Sequence, residues 1–220
     1  MWTIVEILVE TERKNSFSKI NQISNILTCV LNSSYIKSLI SQIIIDIEHC
    51  SSDKFSAALL EVTSENTKEE KFIAILLCDE YSQQKNDIQN ALENYPLLQY
   101  RIKYYASVLC NCSVIKTFLD EHRKRITWQI MRIYRNKNMI VHDGSHFPYI
   151  DIIVQNAHYY IDTLIDTINS YAEKGYQSLE TMYVAMQQAE FSYICTLEET
   201  ENDGTPKIIE GDFSKFVIRQ

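Results

Sequence analysis

The run Arg132-Ile-Tyr-Arg-Asn-Lys-Asn-Met-Ile-Val-His-Asp-Gly144 places an arginine (Arg135), an asparagine beside it (Asn136) and a histidine (His142) within eight residues. A proline-free stretch closed by glycine predicts the last turns of a helix, with Gly144 as its C-cap. Seven positions, close to two α-helical turns, separate Arg135 from His142, which puts both on one face. A permanently charged guanidinium near a side chain of the type that titrates around neutral pH is the pair of functions that cleaving a phosphodiester calls for.

Around this run the chain reads as helix. Only four glycines and three prolines punctuate 220 residues, which favours long helices over many short strands. Apolar residues recur at helical spacing over 17–31, and Asn32-Ser33-Ser34 predicts a break before a second helix to about residue 50. Ser51-Ser52-Asp53 predicts another break. Thr67 and Glu70 form a capping-box pair opening a helix to about residue 94, and Pro96 restarts the chain. A short helix over 113–118 precedes the central helix, about 120–141, and Pro148 opens the next helix, which carries a strong apolar repeat to Ile168. In the tail, 191–197, 207–209 and 216–218 have strand-like composition around an Asn202-Asp203-Gly204 turn, so a short β-hairpin is expected there.

On a helical wheel with Ile126 at zero, Ile130, Ile133, Tyr134, Ile140 and Val141 fall within roughly 80° and predict the buried stripe. Arg135 and His142 fall at about 180° and 160°, flanked by Trp128, Met131 and Met139. A face mixing Trp and Met with Arg and His suits a polar site covered by a partner subunit.

The net charge of −8 argues against general affinity for nucleic acid, yet the charge is uneven. From Arg101 to Lys137 nine cations meet two acids, a local +7; the remainder holds twelve cations and twenty-seven acids, or −15. The six cysteines form no Cys-x-x-Cys pair and no zinc-ligand spacing, so no metal or other cofactor is expected, and buried reduced thiols in a cytoplasmic protein are the reading. The N-terminus lacks the basic region and cleavage site of a secretory signal, and no apolar segment is long enough to span a membrane.

His142 can take a proton from a ribose 2′-hydroxyl or give one to the leaving 5′-oxygen, and Arg135 can hold the phosphate oxygens as charge builds on them. Asn136 can hydrogen-bond phosphate or ribose. Arg123, Lys124, Arg125, Arg132 and Lys137 lie close enough in sequence to gather RNA. His146, four after His142, has the spacing of a metal pair, but Gly144 and Pro148 break the helix, so it reads as structural or incidental; His49, His122 and His158 show no partner in the sequence, and Tyr104 and Tyr105 sit in an apolar pattern that suits a core, with stacking on bases their other use. The bland alternative for Arg135 and His142 is an ion pair and a helix-end contact.

The same run resembles the signature of the HEPN superfamily, an arginine, then a polar residue, then a histidine with four to six residues between it and the arginine; Arg135, Asn136 and His142 match, with six residues between arginine and histidine. The stretch 95–168, with Trp128 and the long helix after Pro148, is most similar to the ApeA-type HEPN domains of bacterial defence proteins. The resemblance implies an all-α HEPN-like bundle that forms a homodimer through the motif-bearing helix. It also implies metal-independent endoribonuclease activity leaving a 2′,3′-cyclic phosphate, in a toxin or antiphage effector acting by abortive infection, with an antitoxin or defence-system partner. HEPN toxins paired with a nucleotidyltransferase carry a tyrosine two residues after the histidine; Gly144 stands there, so that regulation is not implied. The expected organisation is N-terminal helices over 1–94, a HEPN core over 95–175 and an acidic appendage over 176–220. The competing expectation is a catalytically silent HEPN module that binds a partner protein or a nucleotide.

Overall fold

The structure is a computed structural model that describes residues 2–9, 16–63, 67–145 and 147–202. Its described residues are all-α: eight α-helices and one 3₁₀ turn, with no strand among them. The α-helices are α1 (Trp2–Leu8), α2 (Ser16–Leu60), α3 (Lys68–Leu77), α4 (Ser82–Ala91), α5 (Pro96–Leu109), α6 (Cys112–Asp143), α7 (Ile150–Glu173) and α8 (Leu179–Asn202). None is long and apolar enough to cross a membrane.

Several boundaries follow the sequence signals. Thr67 and Glu70 make both halves of the capping box: the Glu70 N–H donates to Thr67 Oγ1 at 3.2 Å, and the Thr67 N–H to Glu70 Oε2 at 2.9 Å. Pro96 opens α5. Ser51 is non-helical (φ −158°, ψ 64°) and kinks α2 inside the expected 51–53 break. Gly144 takes φ +63°, a left-handed conformation open to glycine, and closes α6.

Other boundaries differ. Residues 32–34 do not interrupt α2: Ser33 Oγ donates to the Val30 carbonyl at 2.6 Å, a local bond that leaves the helix intact. The short helix over 113–118 is part of α6. The helix opened by Thr67 stops at Leu77, where Cys78 is extended and Lys85 Nζ donates to the Leu76 carbonyl at 2.7 Å. Residues 191–197, expected as a strand, are helical within α8. Tyr193 and Leu197 are buried four apart there, which is helical spacing. The rest of the expected hairpin, 207–209 and 216–218, lies outside the described residues.

The chain forms two compact units, neither contiguous: residues 1–33 with 119–192, and residues 34–118 with 193–220. In the first, Ile23, Leu27 and Val30 of α2, Ile126 and Ile130 of α6, Leu164 of α7 and Met186 of α8 share one apolar core, with Trp2 and Val5 of α1. In the second, Phe55 and Phe72 meet edge to face at 5.6 Å, Ile73, Leu92 and Ile102 are buried, and Asp46 pairs with Arg101 at 2.5 Å.

The buried stripe of α6 is shorter than its period suggests. Ile126, Ile130 and Ile133 are buried, but Ile140 and Val141 are exposed, and no apolar residue of α6 beyond Tyr134 joins the core. Truncating Ile130 (0% exposed) to alanine is expected to cost about 2–5 kcal/mol in urea unfolding. Val141→Ala (63% exposed) is expected to stay within about 0.5 kcal/mol; equal losses would contradict the placement.

Candidate functional site

The motif lies on the last turns of α6. Arg135 and His142 are both exposed, and so are Arg132 and Trp128, the latter at 70%. With half-buried Met139 they form a row at 128, 132, 135, 139 and 142. Steps of four and three residues keep such a row on one face of a helix and make the seam by which two helices pack. Seven residues also separate Arg135 from His142 by about 10 Å along the axis, and helical side chains all lean toward the N-terminus. The two groups of one chain therefore share a face without converging on a single phosphate.

Asn136 is on a different face. It is 3% exposed, and its Oδ1 accepts the Phe147 N–H at 3.1 Å, tying α6 to the chain beyond Gly144. The candidate catalytic asparagine is thus turned inward, with its side-chain oxygen holding the turn. Phe147 stacks on Tyr149 at 5.4 Å and 7°, and the Arg132 guanidinium lies 4.8 Å from the Tyr149 ring centre. This cation–π contact ties Arg132 to the same turn. Lys137 Nζ lies 5.9 Å from the Tyr134 ring, which packs on Trp2.

The other basic candidates divide. Lys124 and Arg125 are exposed. Arg123 pairs with the buried Glu190 of α8 at 2.5 Å, an arrangement that anchors helices and does not display a cation. Farther back in the basic run, Lys116 pairs with Glu198, within the other unit.

A cavity of about 190 Å³ opens between α6 and α7, three turns before the motif, with His122, Arg125, Gln129, Asn156 and Tyr159 in its wall. Asn32 orders its inner side. Asn32 Nδ2 donates to the Leu119 carbonyl at 3.4 Å, so Oδ1 faces His122 Nδ1 at 2.8 Å. An amide oxygen only accepts, which makes Nδ1 the donor and leaves Nε2 as the acceptor of a neutral ring. Burial, and then the neighbouring Arg125 charge, push the His122 pKa down to about 4. Burial, with a smaller contribution from Tyr159, pushes the Tyr160 hydroxyl up to about 12, and it donates to Gln129 Oε1. Gln129, Asn156 and Tyr159 carry no sequence signal as a group, since they come from two helices some thirty residues apart.

The remaining candidates scatter. His158 is exposed, His49 lies in the other unit, and His146 is outside the described residues. Tyr104, expected in a core, is exposed and stacks on Tyr100 at 6.4 Å. Only Cys29 and Cys112 of the six cysteines are buried, and Cys110 is exposed. Among the described residues no three His, Cys, Asp or Glu side chains are grouped to hold a metal ion.

No protein-family model matches this chain, and neither a curated protein nor a solved structure matches it.

Two outcomes follow from the site's construction. Asn136→Ala leaves the Phe147 N–H without its acceptor and is expected to cost about 1–2 kcal/mol in urea unfolding, whereas Arg135→Ala stays within about 0.5 kcal/mol. Comparable losses would show that Asn136 does not hold the turn. His122 is neutral in the folded chain, while the unfolded chain takes up its proton below about pH 6.5. Stability is therefore full above that pH and falls as pH drops from 6.5 toward 4, by on the order of 1 kcal/mol after allowing for partial exposure. His122→Gln should flatten this part of the wild-type stability curve; an unchanged slope would contradict the assignment.

Proposed function

We propose that this chain is a metal-independent endoribonuclease of the HEPN type, acting as a homodimer in which the exposed row of α6 meets its own copy. The observation that carries this is the row itself: Arg135 and His142 both reach solvent on one helical face, beside Trp128 and Met139. Trp128, 70% exposed, offers this face a large apolar side chain for a partner to cover. The 10 Å step between Arg135 and His142 gives a second copy a role, since its groups can complete what one helix holds apart. Two arginines (132 and 135) on this face would repel their counterparts across a dimer unless an anion lay between them, and an RNA strand supplies one.

In this mechanism His142 withdraws the 2′-hydroxyl proton or protonates the leaving 5′-oxygen. The 2′-oxygen attacks the adjacent phosphorus and the P–O5′ bond breaks, leaving a 2′,3′-cyclic phosphate and a 5′-hydroxyl. Arg135 holds the phosphate oxygens as charge accumulates. Arg132, Lys124, Arg125 and Lys137 draw the strand in. Arg123, committed to Glu190, does not, and Asn136 acts as a positioning residue through the turn it closes. RNA cleavage in its own cytoplasm is toxic to a cell, so the setting we propose is a toxin or antiphage effector that works by abortive infection, with an antitoxin or defence-system partner to restrain it.

Wild-type protein should cut transfer RNA or single-stranded RNA in EDTA. His142→Ala and Arg135→Ala should each lower the rate by about 100-fold or more with unchanged melting. Equal cleavage by wild type and His142→Ala would overturn the assignment, and a folded wild type that never cuts would favour the silent binding module. Trp128→Glu should shift sedimentation from dimer to monomer and abolish cleavage; a fully active monomer would remove the composite site.

A further inference from the structure

The cavity between α6 and α7 is built from complementary parts. Leu31 and Ile126 supply an apolar lining; Gln129 and Asn156 supply amide groups; the half-exposed Tyr159 and the exposed Arg125 supply an aromatic ring and a cation. Gln129 Oε1 is engaged by the Tyr160 hydroxyl, so the amide's other capacity is as a donor. Asn156 offers both donor and acceptor. Mixed donors and acceptors beside an apolar lining and an aromatic ring match the edge and face of a nucleobase better than a bare anion, for which a single cation would compete with several neutral groups.

Size narrows the class. An engineered cavity of about 150 Å³ holds one benzene ring. The present cavity, at about 190 Å³, has room for one six-membered ring with its exocyclic groups. Position ties it to the motif. Arg125 is ten residues before Arg135 on the same helix, about 15 Å along the axis, with Arg132 between them. At a stacked rise of roughly 3.4 Å per nucleotide that is at most about four nucleotides.

We propose that this cavity takes one pyrimidine base of the RNA strand, read at its edge by Asn156 and Gln129, covered on its face by Tyr159, with Arg125 on the adjoining phosphate. The cavity thereby selects sequence a few nucleotides from the cleaved bond; this rests on the ribonuclease assignment above and adds a base preference to it.

The test reads binding alone. Full-length His142→Ala protein is titrated into fluorescein-labelled octamers of uridine, cytidine or adenosine, and anisotropy is followed. Both pyrimidine octamers should bind about fivefold or more tightly than the adenosine octamer, the equivalent of roughly one net hydrogen bond. Adding Asn156→Leu should erase that difference and leave adenosine binding within about twofold. Tyr159→Ala, at an exposed position, should reduce the difference too, and serves if the Asn156 variant melts early. Equal or tighter binding of adenosine, a difference that survives both substitutions, or no binding of any octamer would overturn the proposal. A pyrimidine preference in a protein whose wild type never cuts RNA would sink the ribonuclease assignment and leave the base site standing. Cleavage in EDTA with no preference would do the reverse.

Discussion

The hydrogen bond from the Phe147 N–H to Asn136 Oδ1 decides how the chain leaves α6. A backbone donor just past a helix end needs a partner, and here the helix supplies it from its own buried side. With Gly144 in the left-handed region, that bond folds the chain back so that Phe147 packs at the core's edge and Tyr149 meets Arg132. Arg135 and His142 contribute nothing to the closure and are left on the outside of the helix. The residue between them and the fold, Asn136, does the holding, and this division of labour lets two polar groups stay exposed on a helix whose other side is core.

Charge is used more sparingly than the count of cations between Arg101 and Lys137 suggests. Arg101, Lys116 and Arg123 are each matched with an acid, Asp46, Glu198 and Glu190. Pairs at exposed positions add little stability, but they remove those cations from any surface offered to a polyanion. Of the other six, Lys103 lies on α5, and Lys124, Arg125, Arg132, Arg135 and Lys137 lie within the last two-thirds of α6. Most of the run's positive charge thus lies on the helix that carries the motif.

Much of the fold was legible because its signals are local. The Thr67–Glu70 box, Pro96, the serines at 51–52 and Gly144 each act within one turn. Misreadings arose where a nonlocal partner overrode a local preference. Asn32 looks like a helix breaker until Leu119 and His122 engage its side chain. Ile140 and Val141 carry the right period but outrun the core that would cover them. Asn136 falls roughly 80° from Ile126 on the wheel, at the rim of the buried stripe, which agrees with its burial. The cavity had no such signal, because its walls meet only once α6 and α7 pack.

We propose that the row on α6 cuts RNA through the 2′-hydroxyl. The most direct measurement is cleavage, in EDTA, of one oligoribonucleotide and of the same strand with a single 2′-deoxy nucleotide at the mapped cleavage position. The account predicts that the all-ribose strand is cut, leaving a 2′,3′-cyclic phosphate, and that the substituted strand stays intact at that bond. Cleavage of both strands at the same bond and rate would contradict it.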